Sequence, residues 1–318
     1  MSSAESRGSR AFQCAKRPAP ALAILGALLY LLAPGRCAAQ ELEPRAYSPS
    51  PIGANFVVIS SSRSTGDVVG DPSIPISNIE ARLNTAVAAY GRTFDFFGRS
   101  ASAGLATPYV WGTVTGSVAE QSTQVSRSGL ADTQLRLAVN MLGGPALTPA
   151  QFAVREPEPT LGASLIIVAP TGQYDSGKLI NLGTNRWGFK PEIGFSYPHG
   201  RWFFETYVGV WLYTENPDFY GGVRRGQAPL ASLQGHVSYT IRPRMWVAFD
   251  ATYYNGGRTT QNGVRQDNLE ANSRVGLTFS LPLGAHQSLK FAASDGATIR
   301  VGGDFVTYGI AWQYVWFD

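Results

Sequence analysis

The sequence predicts an all-β fold, a twelve-stranded antiparallel transmembrane β-barrel of the bacterial outer-membrane type. Three observations predict it: a secretory signal at the N-terminus, a series of strands with alternating apolar and polar residues, and a C-terminal strand with one nearly all-aromatic face. Past the signal, no apolar run reaches the roughly 18 residues that a spanning helix needs. A secreted chain that crosses a membrane without such helices must close its strands into a barrel, because unpaired backbone is costly in lipid.

The N-terminal segment has the parts of a secretory signal. Lys16 and Arg17 precede an apolar run over 19–32, and residues 37–39 supply the small side chains of a cleavage site. The run is too short to span a bilayer, which argues against a retained anchor helix. We therefore expect three regions: a signal peptide over 1–39, a periplasmic linker over 40–53, and the barrel over 54–318.

Loss of the signal would change the composition of the chain. Both cysteines, Cys14 and Cys37, lie in it, so the mature chain would have neither a disulfide nor a thiolate metal site. Five of the 26 basic residues and one of the 22 acidic residues leave with it, so that 21 of each remain. The basic balance belongs to the signal, and nucleic-acid binding loses its main support.

Twelve segments have the alternation of barrel strands, and most reach the roughly 9–11 residues that a tilted strand needs to cross a membrane. Short turns and longer polar connections alternate between them, as periplasmic turns and extracellular loops do. An even number of strands places both termini in the periplasm. The predicted strands cover 54–63, 79–91, 99–118, 129–142, 159–170, 186–197, 201–214, 229–241, 245–255, 269–281, 287–295 and 305–317.

One connection departs from this alternation. Residues 143–158 should form a periplasmic turn, yet the segment is long. Within it, Thr148 is followed by Pro149 and, two residues later, by Gln151, which is the pattern of a capped helical turn. We therefore expect a short helix in this connection.

The last strand shows how faces are assigned. Successive side chains point to opposite faces of a strand. One face of the last strand is a nearly all-aromatic row, which suits lipid better than water. It consists of Tyr308, Ile310, Trp312, Tyr314 and Trp316. In other strands the charged residues fall opposite the apolar row, which predicts a polar lumen. The lumen-lining candidates are Arg136, Lys190, Glu192, Glu205, His236, Asp250, Glu270 and Arg274.

Three of these candidates are predicted to form a charged belt. The short turn around Pro243 fixes the register of two strands, so counting equally from it places His236 opposite Asp250. The same count from Asn262, in a longer loop, places Asp250 opposite Arg274, with a slip of two residues left open. Such a belt would order lumen water and bias which solutes pass. The structural alternative is that paired polar side chains only fill a narrow barrel.

The connection over 172–184 is predicted to constrict the channel. It combines small turn-forming residues with apolar and charged ones, which suits a long extracellular loop that folds inward. The candidates for this constriction are Tyr174, Asp175 and Lys178.

Motifs for enzymatic chemistry are sparse. The chain has no phosphate loop, no zinc-protease motif and no nucleophile elbow. An outer-membrane lipid hydrolase would need a histidine and a serine on the lipid-facing wall, whereas alternation turns His236 and Ser238 inward. The acidic loop residues are isolated, unlike the ligands of a calcium loop. We expect no enzymatic activity, no cofactor and no metal site.

Four stretches resemble a known family. They cover 126–137, 169–175, 179–192 and 256–260, and together they resemble an outer-membrane β-barrel family named for the meta-pathway of phenol degradation, whose members are called transporters. The resemblance implies a channel that passes small solutes, apolar or aromatic compounds among them. The expected partners are outer-membrane lipid, a small solute and the barrel-assembly machinery. The alternatives are a non-transporting structural, adhesion or receptor barrel and, less favoured, a lipid hydrolase.

Overall fold

Antiparallel strands make up most of the chain that the structure, a computed structural model, describes: residues 42–69, 77–118 and 121–318. The signal-peptide prediction lies outside these residues. In chain order, the strands in the described part are β1 (Ala54–Val69), β2 (Ser77–Phe96), β3 (Arg99–Val118), β4 (Gln121–Leu130), β5 (Thr133–Leu142), β6 (Thr160–Ala169), β7 (Gly188–His199), β8 (Trp202–Tyr213), β9 (Asn216–Phe219), β10 (Val223–Gln227), β11 (Leu230–Arg242), β12 (Met245–Gly256), β13 (Thr259–Gln261), β14 (Val264–Arg265), β15 (Glu270–Pro282), β16 (Gln287–Thr298) and β17 (Gly302–Phe317). Among the described residues, no helix has the length and apolar character needed to cross a membrane.

The first and last strands close the sheet into a barrel. β1 pairs with β17 along its whole length and with β2 on its other edge. From β17 the wall runs through β16, β15, β12, β11, β8, β7, β6, β5 and β3 back to β2, and all neighbours are antiparallel. β4 and β5 both pair with β3, one beyond the other, so they share one position in the wall. The predicted twelve-stranded antiparallel barrel is confirmed.

The shared position corrects one prediction. A single strand was predicted over 129–142, but β4 begins earlier and the chain breaks at Ala131 and Asp132 before β5. Asp132 is buried, and its carboxylate accepts hydrogen bonds from the backbone N–H groups of Gly172 and Thr184, both at 2.9 Å. These bonds tie the break to the β6–β7 loop, a distant contact that local alternation does not signal.

Side chains alternate between lipid and lumen as the sequence predicts. On β12, Phe249 is 52% exposed and its neighbour Asp250 is fully buried. On β8, Val208 is 58% exposed and Tyr207 is 1% exposed. The outer face is therefore apolar and the inner face largely polar, which is the pattern of a barrel that crosses lipid.

Strands β1 to β4 reach beyond the bilayer. β2 and β3 have 20 residues each, about twice what a tilted strand needs to cross. The prediction for β1 ended at Arg63, but the strand continues to Val69 in register with β17. Its second half is too polar to face lipid, so alternation of apolar residues could not reveal it.

The two ends of the barrel are closed differently. At the extracellular end, β9, β10, β13 and β14 form a small separate sheet that joins two loops. At the periplasmic end, the connection after β5 contains the predicted helix, Pro149–Ala153. Thr148 and Gln151 form a capping box at its N-terminus. The Ile52 backbone N–H donates to the Leu147 carbonyl at 2.9 Å, so this connection also holds the chain where it enters β1.

Candidate functional site

His236 and Asp250 form a buried pair on the lumen side of β11 and β12. The tight turn at Pro243 sets the predicted register, His236 opposite Asp250, and His236 Nδ1 lies 2.7 Å from Asp250 Oδ1. Thr278 donates from its hydroxyl to the other carboxylate oxygen at 2.7 Å, and Tyr207 packs its ring against the imidazole. Each member of the pair thus has neighbours that fix its position.

Arg274 lies two residues from its predicted position. Asp250 pairs with Gly276 on β15 instead. The symmetry centre of this hairpin is one residue beyond Asn262, and an error of one residue at the centre becomes a slip of two along the strand. Because two residues is one full alternation, Arg274 still faces inward, where it is 1% exposed and donates to the Ser294 hydroxyl on β16.

A second buried pair, of two charged residues, lies on β7. Lys190 Nζ is 2.7 Å from Glu192 Oε2, and both side chains are buried. Gln234 donates from Nε2 to the same carboxylate oxygen at 3.1 Å. The ammonium of Lys190 also lies 5.7 Å from the ring centroid of Trp211. The inner wall is thus an organised polar network.

The chain before β1 crosses this lumen. Residues 40–53 were predicted to be a periplasmic linker, and their described part, from Leu42, lies against the inner wall. Near one side of the barrel, the Ser100 hydroxyl donates to the Ser50 carbonyl at 2.9 Å. On another side, Leu42 packs so closely on Gly276 that an added Cβ would come within 2.6 Å of it. The described part is therefore not a free linker. We call residues 42–50 the lumen segment.

Arg45 fixes the lumen segment to β8 and β11. Its backbone N–H donates to Glu205 Oε2 at 2.8 Å. From the guanidinium, Nε donates to the Ser238 hydroxyl at 3.0 Å and Nη2 to the Thr240 hydroxyl at 2.8 Å. Three hydrogen bonds from one residue, two of them from a charged donor, make it the principal polar anchor of the segment.

The surroundings of Arg45 add to this anchoring. The guanidinium carbon lies 4.3 Å from the ring centroid of Phe203 and 4.9 Å from that of Trp246, within the range of cation–π attraction. Burial lowers the pKa of Arg45 to about 10, and the Glu205 carboxylate partly opposes that shift. The backbone φ of 65° lies in the left-handed region, which a non-glycine residue adopts at a cost that its contacts must offset.

Tyr47 is a second anchor. Its ring lies on two glycines, because a Cβ added at Gly162 or Gly194 would approach the ring to 2.4 or 2.1 Å. Its hydroxyl donates to Glu192 Oε1 at 3.0 Å and is 2.8 Å from the Ser164 hydroxyl. Glycine at both positions therefore makes room for the ring, and the lumen segment shares a carboxylate with the charged pair on β7.

The remaining lumen candidates lie at different heights. Arg136 on β5 approaches Glu43 at 3.7 Å and lies 5.4 Å from the Tyr47 ring centroid, so it also faces the lumen segment. Glu270 begins β15 at its extracellular end, where it accepts a hydrogen bond from Gln227 at 3.4 Å. Glu270 therefore belongs to the mouth of the barrel. No pattern in the sequence indicates that residues before β1 contact these side chains.

The candidates for the constriction separate into two groups. Tyr174 turns towards the next loop, where its hydroxyl donates to the Asp218 carbonyl at 2.9 Å. Asp175 and Lys178 instead form an exposed ion pair within the loop. The hydrogen bond from Lys178, together with one from the Gly177 backbone, lowers the pKa of Asp175. Tyr174 is thus the one of the three that joins the loops.

Deleting residues 175–182 is expected to raise conductance while the barrel still assembles. The Gly183 backbone N–H donates to the Gln173 carbonyl at 2.9 Å, so the two ends of the deletion are already adjacent. The measurement is single-channel conductance, made both in the full chain and in a variant that also lacks the lumen segment. A folded deletion variant with unchanged conductance in both backgrounds would show that this loop does not constrict the channel.

The lumen side of the wall also bears on the hydrolase alternative. Ser238 is fully buried and accepts its hydrogen bond from Arg45 within the lumen, so it points away from lipid, as does His236. In the described part of the chain, no group of three or more histidine, cysteine or acidic residues is placed to hold a metal ion.

Comparison with known proteins identifies related barrels. A family model described as "Putative MetA-pathway of phenol degradation" matches residues 62–314. No curated protein matches the chain in sequence. Among solved structures, the chain is similar to an outer membrane channel from Pseudomonas putida F1, with a TM-score of 0.72 and 21% identity over 87% of this chain and 100% of that one. It is also similar to the transport unit of the autotransporter AIDA-I from Escherichia coli, with a TM-score of 0.51 and 9% identity over 87% of this chain and 93% of that one. Both likenesses support the barrel fold.

Proposed function

The chain belongs to the family described as "Putative MetA-pathway of phenol degradation", and from that premise we propose that it is an outer-membrane channel for small solutes, apolar or aromatic compounds among them. Its location is the bacterial outer membrane, since a closed barrel with an apolar outer face and a polar inner face is the architecture of that membrane. Lipid contacts the outer face, and the barrel-assembly machinery inserts the folded wall.

One observation carries the proposal. The lumen is crossed by a separate segment, with a turn at residues 44–47, that is held to the wall through hydrogen bonds, ring contacts and an ion pair. A barrel built only for stability could fill its lumen with wall side chains alone. A separate segment that is held by polar contacts can leave its site and return. Such a movement would open and close a path through the lumen, which supports a channel.

Two alternative functions can each be distinguished from this proposal by one measurement. The polar outer halves of β1 to β4 extend above the bilayer and favour, as a second candidate, a receptor or adhesion surface. The inward position of Ser238 and His236 speaks for a channel over a lipid hydrolase. Conductance separates a channel from a surface barrel, and ester hydrolysis in detergent separates both from an enzyme.

The test is solute flux into proteoliposomes, combined with single-channel recording. Phenol, an uncharged sugar and an amino acid would be compared in vesicles that contain the full chain or a variant lacking residues 42–50. We expect flux that depends on the solute and increases in the variant. Correct folding would be checked by the heat-dependent shift in gel mobility that intact barrels show. Absence of flux and of conductance in both folded proteins would contradict the proposal.

A further inference from the structure

A cavity of about 170 Å³ lies among the extracellular loops, apart from the lumen segment. It lies between the β6–β7 loop and the small extracellular sheet. The residues that give it its chemical character are Tyr174, Leu179, Arg186, Asn216, Phe219 and Arg225. This volume is below the roughly 300 Å³ at which pockets for drug-sized ligands begin, so a ligand that fits would contain a single ring.

Hydrogen bonds between loops hold the cavity in shape. Asn216 is buried at its base, and its Nδ2 donates to the Tyr174 hydroxyl at 3.0 Å and to the Thr184 carbonyl at 3.2 Å. Its Oδ1 accepts from Asn185 Nδ2 at 2.9 Å and from the Asp218 backbone N–H at 3.0 Å. Because these contacts join two loops through one side chain, the cavity is formed before any ligand arrives.

Two arginines give the cavity a positive charge. The guanidinium of Arg186 lies 4.2 Å from the ring centroid of Tyr213, and that of Arg225 lies 4.7 Å from the ring centroid of Phe219. Stacking on a ring fixes the plane of a guanidinium, whose edge carries several N–H donors; one of these, Nη2 of Arg186, donates to Gln227 Oε1 at 2.5 Å. A guanidinium fixed in this way has the geometry that binds carboxylates. None of the described residues that line the cavity has a carboxylate side chain.

The electrostatics agree with this geometry. Burial lowers the pKa of Arg186 to about 10; the Tyr213 side chain opposes the shift, the positive charge of Arg225 adds to it, and the carboxylates of Glu270 and Asp132 oppose it. The two guanidinium groups therefore act on one another. The nearby Asp132 carboxylate is already engaged by backbone and hydroxyl donors from Gly172 and Thr184. A bound anion would add a negative charge close to both guanidinium groups, which favours their charged forms.

We propose that this cavity binds single-ring aromatic carboxylates at the mouth of the channel, with the carboxylate between Arg186 and Arg225 and the ring against Phe219, Tyr174 and Leu179. The inference rests on the proposed function and narrows its solute class, because a site on the extracellular side would collect the solute before entry. Phe219 and Tyr174 supply aromatic faces, and Leu179 supplies an apolar one, so a ring is favoured over a bare inorganic anion.

The test is isothermal titration calorimetry on the full chain in detergent, with benzoate, phenol, cyclohexanecarboxylate and inorganic phosphate as probes. We expect saturable binding of benzoate that is tighter than that of the other three. Arg186→Gln and Arg225→Gln should each weaken benzoate binding by at least about tenfold, since each removes a charged donor. Phe219→Leu should weaken benzoate more than cyclohexanecarboxylate.

Arg224→Gln is the matched control. Arg224 is adjacent to Arg225 in sequence but exposed and paired with Glu215, so its loss should leave benzoate binding unchanged. Equal binding of benzoate and phosphate would show a general anion site and overturn the inference. So would benzoate binding that the folded Arg186 and Arg225 variants retain. Benzoate binding without flux would contradict the proposed channel function but not this site. Flux of phenol without benzoate binding would contradict this site but not the channel function.

Discussion

Replacing Arg45 with alanine is expected to raise the conductance of the channel, because the lumen segment would leave its site on the wall for a larger fraction of the time. The substitution removes the two hydrogen bonds to Ser238 and Thr240, and bonds from a charged donor contribute roughly 1.5–3 kcal/mol each. A loss of about 3 kcal/mol would change the docking equilibrium by roughly a hundredfold.

The aromatic contacts of Arg45 provide a graded variant. Arg45→Lys keeps the positive charge near Phe203 and Trp246 but loses the planar fork that reaches both hydroxyls. It should therefore give an intermediate conductance. Arg242→Ala, at the exposed end of β11, is the matched control and should leave conductance unchanged. If Arg45→Ala folds and conducts like the unaltered protein, the lumen segment is not the gate.

The position of the lumen segment could not be read from local sequence. Pro44, Pro49 and Pro51 give this stretch the composition of an exit linker. Its contacts lie far away in the chain: Arg45 meets residues 160 to 195 positions later. A segment without secondary structure has no periodicity that marks one of its faces as buried. Only the three-dimensional closure of the barrel reveals what it contacts.

The charged belt was predictable to the extent that turns were short. The turn around Pro243 leaves few registers open, and counting from it gives the observed pairing of His236 with Asp250. The longer loop around Asn262 folds into its own hairpin of β13 and β14. Its centre is therefore less certain from sequence, and Arg274 is displaced along β15 by two residues. Alternation still gives the correct face, because it has a period of two.

The cavity at the mouth depends on contacts between loops. Arg186 and Arg225 are 39 positions apart and belong to different connections. Asn216, in the same connection as Arg225, joins the two by donating to Tyr174 and Thr184 in the other. In the sequence, Arg186 falls at the start of the predicted strand 186–197 and Arg225 in the connection between the strands 201–214 and 229–241, and nothing in the pattern joins them. Residue types that are ordinary in isolation become a site only when two loops are held together, which is a property of the fold and not of either loop alone.

Replacing Glu192 with alanine is expected to cause the largest loss of stability. Its carboxylate accepts from Lys190, Gln234 and Tyr47, at 2.7, 3.1 and 3.0 Å. Removing one member of a buried ion pair leaves the other without its counter-charge and costs about 3–5 kcal/mol. The measurement is the free energy of unfolding in guanidinium chloride, followed by tryptophan fluorescence. Glu80→Ala, which removes an exposed partner of Arg82, is the matched control and should change stability little.

The same substitution tests whether the wall and the lumen segment are coupled. Glu192→Ala removes an acceptor from Tyr47, so it should raise conductance as well as lower stability, whereas Glu192→Gln keeps an oxygen for Tyr47 and loses only the charge opposite Lys190. Since Arg45 and Tyr47 hold one segment, the double variant Arg45→Ala with Glu192→Ala should gain less conductance than the sum of the two single effects. Additive gains would mean that the two anchors act independently, and unaltered stability in Glu192→Ala would mean that the pair on β7 is solvated and not buried.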